Sequence, residues 1–237
     1  MKTLILFSSS EIGGAEQSLT RLSNVGNSGE FLLGSLSGEG ILLNQKKYIN
    51  KIVYKFGFKK KSFIYLIISC FKAIKFSQKN RIDNLYICGF KACSIIRILS
   101  LFYKTPKIFH AIRYNPISNN LDDKIFRMFE RFFVFQTKAW ICNSYSAKRT
   151  LIKYCRLPEN KIFSVHNGID ISNINKEFRK RENIILTLSN FAQRKGIIEY
   201  ISVIEIVVKI HKNTRFVLAG RDDMNGMVQE EIRRKKL

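Results

Sequence analysis

The sequence has no hydrophobic run long enough to span a membrane. Its longest apolar stretch, residues 63–71, falls well short of the roughly 18 residues that a spanning helix needs. Only the short apolar run of residues 4–7 follows Met1 and Lys2, which is less than the apolar core of a secretory signal. We therefore expect neither a transmembrane segment nor a signal peptide, and a cytoplasmic protein.

Cysteine pairs with metal-binding spacing are also missing. The 5 cysteines form no Cys-x-x-Cys pair and lie in apolar stretches, as buried reduced thiols do. This pattern disfavours a structural zinc site and agrees with a reducing compartment. The residues concerned are Cys70, Cys88, Cys93, Cys142 and Cys155.

Acidic residues are scarce, since 18 Asp and Glu stand against 41 Lys and Arg. The excess lies in residues 51–165, which carry 23 basic and 5 acidic side chains, whereas residues 1–50 carry 4 of each and residues 166–237 carry 14 and 9. The resulting positive electrostatic field favours an anionic partner. This partner is either nucleic acid, an anionic membrane or a phosphorylated substrate. A general bias towards lysine, asparagine and isoleucine would explain the same counts.

The sequence does contain a regular alternation of short apolar runs with longer stretches of helical period. This alternation is typical of an α/β fold, and runs such as residues 4–7 and 85–88 lack the polar alternation of a half-exposed strand. We predict one doubly wound, Rossmann-like domain over residues 1–170. Its predicted strands are residues 2–8, 31–36, 51–55, 84–89, 107–112, 139–143 and 161–166, and its predicted helices are residues 15–24, 62–79, 91–103, 122–136 and 146–155.

A polar, charged segment over residues 171–182 is typical of an interdomain linker. After it, residues 183–189 and 214–219 predict two further strands, and residues 196–211 predict the helix between them. Two strands cannot complete a sheet between two helical layers. We therefore expect residues 183–237 to be the opening part of a second domain, in a chain that is cut off inside it.

A glycine loop follows the first predicted strand. Gly13 and Gly14 stand directly before a predicted helix, and Glu16 lies in its first turn. At the carboxyl end of a strand, such a loop presents amide N–H groups and a helix N-terminus, which favour an anionic group. The spacing is not the Gly-x-Gly-x-x-Gly of dinucleotide-binding proteins, and a plain tight turn explains the loop as well.

A series of short motifs closes the first predicted domain. Residues 141–146 read Ile-Cys-Asn-Ser-Tyr-Ser, residues 157–162 read Leu-Pro-Glu-Asn-Lys-Ile, and residues 165–170 read Val-His-Asn-Gly-Ile-Asp. In this order, and with Gly-Gly-Ala-Glu at residues 13–16, they resemble the glycosyltransferases of family 4. The resemblance extends from Met1 to about Asp222.

This resemblance implies a GT-B fold and a retaining transfer from a nucleotide-diphosphate sugar, without a bound metal or cofactor. In the family the donor binds mainly to the second domain and the acceptor to the first. The resemblance further implies that Gly13, Gly14, Glu16, Ser144 and Asn167 bind substrate. Together with the basic charge, it suggests surface-polysaccharide or glycolipid assembly on a lipid-linked acceptor at the inner membrane face.

Two candidate residues lie near the end of the strand that begins at Lys107. His110 and Arg113 are at the edge that faces the cleft in a doubly wound sheet. The family often has a histidine here near the donor, which implies a catalytic His110, although a lone histidine is otherwise usually structural. Arg113 could hold a phosphate in a bidentate way, or be a solvated surface charge.

The second predicted domain contributes a loop before its first helix. The family typically has Gly-Arg at the strand end and Lys-Gly a few residues later, and the two cations hold the leaving diphosphate. Lys195 and the glycine after it match, and the resemblance implies a catalytic Lys195, but Asn190 stands where the arginine is usual. Arg194 could replace that charge, although adjacent side chains at a helix start point in different directions. Gly220 resembles the second glycine loop of the family, or is a simple turn.

The family's pair of glutamates separated by seven residues, which bind the sugar and the ribose, does not occur after Gly220. We therefore expect a weakly active or inactive chain. The alternative function is a non-catalytic basic module that binds an anionic membrane or nucleic acid, and no RNP-type motif favours the nucleic acid.

Two basic apolar segments bear on a membrane partner. Residues 122–136 interleave phenylalanines with Lys124, Arg127 and Arg131, and three lysines at residues 59–61 precede the longest apolar run. Each segment could lie in a membrane interface or be a core helix with a solvated basic edge.

The candidate residues share one feature of position. We expect Gly13, Gly14, His110, Asn167 and Lys195 to line a single cleft, because each follows a strand at the carboxyl edge of its sheet.

Overall fold

The computed structural model describes all residues except 10–12, 26–29, 41–52, 60–61, 119 and 170–181. The chain divides into two compact units, Met1–Asp170 and Ile171–Leu237. Among the helices of the described residues, none has both the length and the hydropathy that a membrane crossing requires.

The first unit is built on a parallel sheet with the strand order β3-β2-β1-β4-β5-β6-β7. This order, in which the chain reverses direction beside β1, confirms the predicted doubly wound α/β fold. The strands are β1 (Thr3–Phe7), β2 (Phe31–Ser35), β3 (Val53–Lys55), β4 (Asn84–Cys88), β5 (Lys107–Ile112), β6 (Thr137–Cys142) and β7 (Ile162–Ser164). The helices are α1 (Gly14–Val25), α2 (Phe63–Lys79), α3 (Phe90–Leu99), α4 (Leu121–Phe132) and α5 (Tyr145–Cys155).

The two faces of this sheet pack against different helices, because alternate strand residues point to opposite sides. Leu6 and Ile87 pack against α2 and α3 on one face, whereas Phe7 and Tyr86 pack with Leu19 of α1 on the other. On the first face, Trp140 packs with α4 and α5. Burial on both faces explains why the strands are continuously apolar in sequence.

The carboxyl ends of β1 and β4 approach each other closely. Gly89 follows β4 with a φ of +119°, and a Cβ at this position would lie 2.2 Å from Ser8 Oγ. Gly89 is therefore required both for its backbone conformation and for the space that it leaves. The approach fixes the position of the loop after β1.

All 5 cysteines are free, buried thiols in the structure. Burial raises the pKa of the Cys142 and Cys155 thiols to about 12. The prediction of buried reduced cysteines is therefore confirmed.

The second unit contains two parallel strands, β8 (Ile184–Leu188) and β9 (Arg215–Ala219), with α6 (Ile197–Ile210) between them and α7 (Met227–Arg234) after them. Ile197 and Ile201 of α6 form a small core with Leu218 and Val228. On the opposite face of the strand pair, Leu186, Leu188 and Val217 are exposed. The described part of this unit therefore covers its sheet on one side.

Several predicted helices and strands end at residues other than those seen in the structure. The helix predicted to end at residue 103 ends at Leu99, and the helix predicted to end at residue 136 ends at Phe132. The strand predicted from residue 161 is shorter, since a 3₁₀ turn at Glu159–Lys161 precedes it. Of the predicted linker, all but Glu182 lies outside the described residues, as do the first two residues of the strand predicted at 51–55.

Candidate active site

Two of the predicted site residues meet at the carboxyl edge of the first sheet. Arg113 directly follows β5, and its Nη1 donates a hydrogen bond to Oδ1 of Asn167, in the loop after β7, at 2.7 Å. The same Oδ1 accepts a hydrogen bond from Ser18 Oγ at 2.9 Å, and Arg113 Nη2 donates to Tyr86 Oη at 3.4 Å. The guanidinium thus bonds to β4 and to the loop after β7, and Ser18 of α1 fixes the Asn167 amide that it contacts.

This cluster stands at one end of a groove of about 870 Å³ along the α1 face of the sheet. Leu22, Phe109 and Ile141 provide much of the apolar wall, and the far end reaches Thr3 and Asn84 at the amino ends of β1 and β4. A groove of this volume is of the size that ligand sites usually have. The groove is thus largely apolar, with Arg113 at one end and Arg21 also in its lining.

Arg113 has no acidic partner at salt-bridge distance among the described residues, and its Nε is buried without a hydrogen-bond partner. Glu16 lies near enough to interact electrostatically with Arg113, although it makes no salt bridge with it. Burial raises the pKa of the Glu16 carboxyl above its ordinary value, although a backbone hydrogen bond and the Arg113 charge oppose the shift. A fixed guanidinium with unused donor capacity is suited to a carboxylate or phosphate.

The glycine loop places Glu16 beside this cluster. A Cβ on Gly13 would lie 2.5 Å from Glu16 Oε2, so the absence of a side chain there lets the carboxylate fold back onto the loop. At Gly14, the first residue of α1, a Cβ would meet no atom of the described residues within 4 Å. A side chain at the first position would therefore displace the Glu16 carboxylate, whereas one at the second would meet no atom of the described residues.

Ser18 and Tyr86 also belong to the cluster, although no sequence motif points to them. Ser18 lies one helical turn after Gly14, and Tyr86 stands opposite Phe109 in the β4–β5 register. Residues paired across parallel strands point to the same face. A tyrosine within an otherwise apolar strand is the signal that would have identified Tyr86.

The structure does not place His110 at the groove. This residue is 1% exposed, and its Nδ1 lies 3.0 Å from Glu130 Oε1. It stands opposite Ile87 and Trp140 in the sheet, on the face that α3 and α4 cover, whereas its neighbour Phe109 reaches the groove. The expected position was wrong because strand alternation directs this side chain to the opposite face.

His110 is instead part of a buried charged cluster around Glu130. Arg97 makes a bidentate pair with Glu130 at 2.8 and 2.9 Å, and Trp140 Nε1 donates to the same carboxylate. Burial alone would disfavour protonated His110, but Cys93 and Glu130 outweigh it and raise the pKa of the imidazole to about 9. The Coulombic attraction of His110 and Arg97 holds the pKa of Glu130 well below its usual range despite burial.

Ser144 makes a hydrogen bond that caps a helix. It is the N-cap of α5, where its Oγ accepts a hydrogen bond from the Ala147 backbone N–H at 3.2 Å. This bond satisfies one of the amides that have no partner within the helix. The helix that it starts brings Tyr145 into edge contact with His166, with 5.2 Å between ring centroids, and His166 lines the groove.

The second unit gathers its predicted residues at the carboxyl ends of β8 and β9. A Cβ on Gly220 would lie 1.9 Å from the Ser189 carbonyl oxygen, so this glycine allows the two strand-end loops to meet. Lys195 ends a 3₁₀ turn that leads through Gly196, in the left-handed conformation, into α6. Asn190, Arg194 and Lys195 are all exposed around this helix start.

The cations near this loop differ in whether they have an acidic partner. Arg221 pairs with Asp223, with 2.7 Å between Nε and Oδ1, and Arg194 also acts electrostatically on Asp223. Lys195 has no acidic group at salt-bridge distance among the residues that the structure describes. Lys195 is thus free to bind an anion at the N-terminus of α6, where the helix dipole adds to its charge.

The candidate residues are therefore divided between the two units. Arg113 and Asn167 lie together in the first unit, near Glu16 and Gly13, while Asn190, Arg194, Lys195 and Gly220 belong to the second. The expectation that residues of both units line one cleft stays a prediction.

Comparisons with known proteins agree with the resemblance seen in sequence. The family model described as Glycosyltransferase Family 4 matches residues 12–173. The capsular polysaccharide biosynthesis glycosyltransferase CapH of Staphylococcus aureus is 27% identical over 216 residues, which are 88% of this chain and 59% of CapH. This chain thus spans somewhat less than two thirds of that relative.

Solved structures share the fold. Anabaena HepE in complex with UDP superposes with a TM-score of 0.76 at 16% identity, over 100% of this chain and 67% of HepE. TarM of S. aureus, solved in a complex that includes UDP, gives a TM-score of 0.74 at 12% identity, over 100% of this chain and 76% of TarM. These likenesses confirm the GT-B type of the α/β fold. Because the family model covers more than half of the sequence, this chain belongs to glycosyltransferase family 4.

Proposed function

We propose that the protein transfers a sugar from a nucleotide-diphosphate sugar to an acceptor in polysaccharide or glycolipid assembly. The proposal rests on the position of Lys195 at the start of α6. This cation is exposed and has no acidic partner among the described residues. Membership of family 4, the similarity to CapH and the fold shared with UDP-bound HepE support it.

On the donor side, Lys195 and the N-terminal amides of α6 bind the diphosphate. Arg194 contributes a second charge, which it shares electrostatically with Asp223. Asn190 adds hydrogen-bonding capacity but no charge, and Gly220 leaves room for the donor beside it. With one charge fewer than the family pattern, we expect slow transfer.

The proposed reaction is a retaining transfer. The bond between the anomeric carbon and the diphosphate oxygen breaks, and a bond from that carbon to the acceptor hydroxyl oxygen forms on the same face of the sugar. The hydroxyl proton passes to the departing diphosphate oxygen. Lys195 stabilises the negative charge that develops on the diphosphate, which is the type of interaction that contributes most to such reactions.

On the acceptor side, Arg113 binds an anionic group of the acceptor, and Asn167 orients the guanidinium. The apolar groove beside Arg113 and the basic surface of residues 51–165 support a lipid-linked acceptor and a protein that works at an anionic membrane surface. Glu16 and the glycine loop limit the space around the acceptor.

The donor site is tested by titrating UDP into the protein and into the Lys195→Ala variant. Removing one charge-assisted contact to phosphate is expected to weaken UDP binding by about 10- to 100-fold. Lys212→Ala, which changes an exposed lysine at the other end of α6, is the matched control and is expected to bind UDP normally. Equal UDP affinity of the Lys195→Ala variant and the unchanged protein would contradict the donor site.

The second candidate function is a non-catalytic basic module, which the concentration of positive charge in residues 51–165 favours. It predicts binding to anionic vesicles or nucleic acid without any UDP binding. Glycosyl transfer from UDP-sugars to a lipid-linked acceptor, lost in Lys195→Ala, would rule it out.

A further inference from the structure

Helix α4 has apolar side chains on two sides. Its inner side packs into the core through Phe126, which is fully buried beside Trp140. Its outer side carries large apolar residues spaced by seven and four residues, which puts them on one face of the helix, and a further exposed ring follows just after the helix end. These are Leu121 (71% exposed), Met128 (61%), Phe132 (72%) and Phe135 (89%), the last just after the helix end, and we call them the α4 ridge.

Basic side chains flank the α4 ridge. Lys124 and Arg131 are exposed at intermediate positions of the same face, and Lys138, the second residue of β6, is exposed as well. Arg131, Phe135 and Arg156 also line a shared hollow of about 500 Å³. None of these cations has an acidic group within salt-bridge distance in the described part of the chain.

The acidic residues of α4 do not cancel this charge. Asp123 accepts a hydrogen bond from the Ser118 backbone N–H, and Asp122 and Asp123 lie in the first turn of the helix. Glu130 points inward and is fully buried against Arg97 and His110. From Lys124 to the end of the ridge, the outer surface is therefore apolar and positive.

These features point to one kind of partner. Long apolar side chains that protrude between cations match a membrane interface, where apolar groups enter the acyl boundary and Lys or Arg reach the anionic headgroups. Nucleic acid fits less well, because Leu121 and Met128 offer neither stacking surface nor hydrogen bonds to bases. A symmetric contact with a second copy would place the same cations against each other.

We propose that the α4 ridge is the surface through which the protein inserts into an anionic membrane, with α4 lying parallel to the membrane plane. The proposal rests on the membrane partner of the proposed function, and it names the residues that make the contact. It is independent of donor binding at Lys195.

The test is sedimentation with vesicles of phosphatidylcholine, with and without phosphatidylglycerol. The double variant Phe132→Ser/Phe135→Ser is expected to bind the anionic vesicles at least about tenfold more weakly, because both exposed rings leave the acyl boundary. Phe102→Ser, at a comparably exposed ring after α3, is the matched control and should bind as the unchanged protein does. Circular dichroism should show all three proteins to be equally folded.

Two charge-reversal variants test whether electrostatic attraction at the α4 ridge contributes to membrane binding. Arg131→Glu and Lys91→Glu alter the net charge equally, and Lys91 is an exposed residue of the first turn of α3. Arg131→Glu is expected to weaken vesicle binding several-fold more than Lys91→Glu, and the difference should diminish at high salt.

Three results would overturn the proposal. These are equal vesicle binding by the double variant and the Phe102→Ser control, a concentration-dependent dimer in sedimentation velocity that the double variant abolishes, and a loss of oligonucleotide binding with unchanged vesicle binding. UDP titration of the double variant separates this proposal from the donor site, because its UDP affinity should be unchanged.

Discussion

Glu130 is the residue whose environment differs most from that of an ordinary carboxylate. It is completely buried, yet it accepts hydrogen bonds from Arg97 and Trp140 and lies against His110. Two charged partners are needed because a buried carboxylate without compensation costs several kcal/mol. The cluster therefore joins α3, α4, β5 and β6 through one side chain.

Replacing Glu130 by glutamine should destabilise the first unit severely. The substitution keeps the shape but leaves Arg97 buried without a counter-charge, and breaking a buried pair in this way costs about 3 to 5 kcal/mol. Urea unfolding followed by far-ultraviolet circular dichroism measures the change. Glu159→Gln, which removes an exposed contact to Lys148, should cost less than about 1 kcal/mol, and a similar cost for both variants would contradict the role of the cluster.

The same cluster predicts how stability depends on pH. Folded His110 keeps its proton up to about pH 9, whereas an exposed histidine loses it near about pH 6.5. Between these values the unfolded state binds fewer protons, so the free energy of unfolding should fall as pH rises, by about 3 kcal/mol in total. Below about pH 6.5 the contribution is fully present.

Urea midpoints across this pH range measure the effect. His110→Gln should remove most of the slope, while His166→Gln, at an exposed histidine, should leave it. A slope that persists in His110→Gln would assign the effect to other groups.

At the scale of elements, the sequence predicts the position of every strand and helix of the first unit that the structure describes, because buried strands and amphipathic helices have distinct apolar patterns. The ends are predicted less well. Helix α4 stops at Phe132 although apolar residues continue, since Phe133 leaves the helical conformation and its carbonyl accepts a hydrogen bond from Thr137 Oγ1. Apolar periodicity cannot distinguish a helix from a turn that buries the next ring.

The same limit applies to the site. The sequence correctly predicts that Arg113 and Asn167 lie at the carboxyl edge of the first sheet, because both follow parallel strands. It misplaces His110, since a strand that is apolar on both faces gives no alternation from which the facing side could be determined. The pair Arg97 and Glu130, 33 residues apart, leaves no local pattern at all.

Strands β8 and β9 should be less protected than the strands of the first sheet. Leu186, Leu188 and Val217 are exposed on one face of the pair, so fewer apolar contacts oppose local opening. Amide hydrogen exchange read by mass spectrometry is expected to be at least about tenfold faster in Ile184–Leu188 than in Asn84–Cys88. Equal protection of both peptides would show that the second unit is stabilised by contacts other than those within it.

On the scale of the whole molecule, charge and chemistry are distributed unequally. Residues 51–165, which include the α4 ridge and Arg113, carry 23 basic and 5 acidic groups, whereas residues 166–237, with Lys195, carry 14 and 9. The proposed membrane and acceptor contacts thus belong to the strongly basic first unit, and the proposed donor contacts to the second. Membrane association and nucleotide binding should therefore respond separately to substitution.

The position of Trp140 has an optical consequence. It is the single tryptophan of the chain, fully buried in the first unit with its indole N–H donated to Glu130. Intrinsic fluorescence excited at the red edge of indole absorption therefore originates in the first unit alone. The second unit has no tryptophan among its residues and emits no fluorescence under this excitation. Emission and energy transfer from Trp140 to an acceptor dye in a vesicle can follow the folding and docking of one unit while the other is left unobserved.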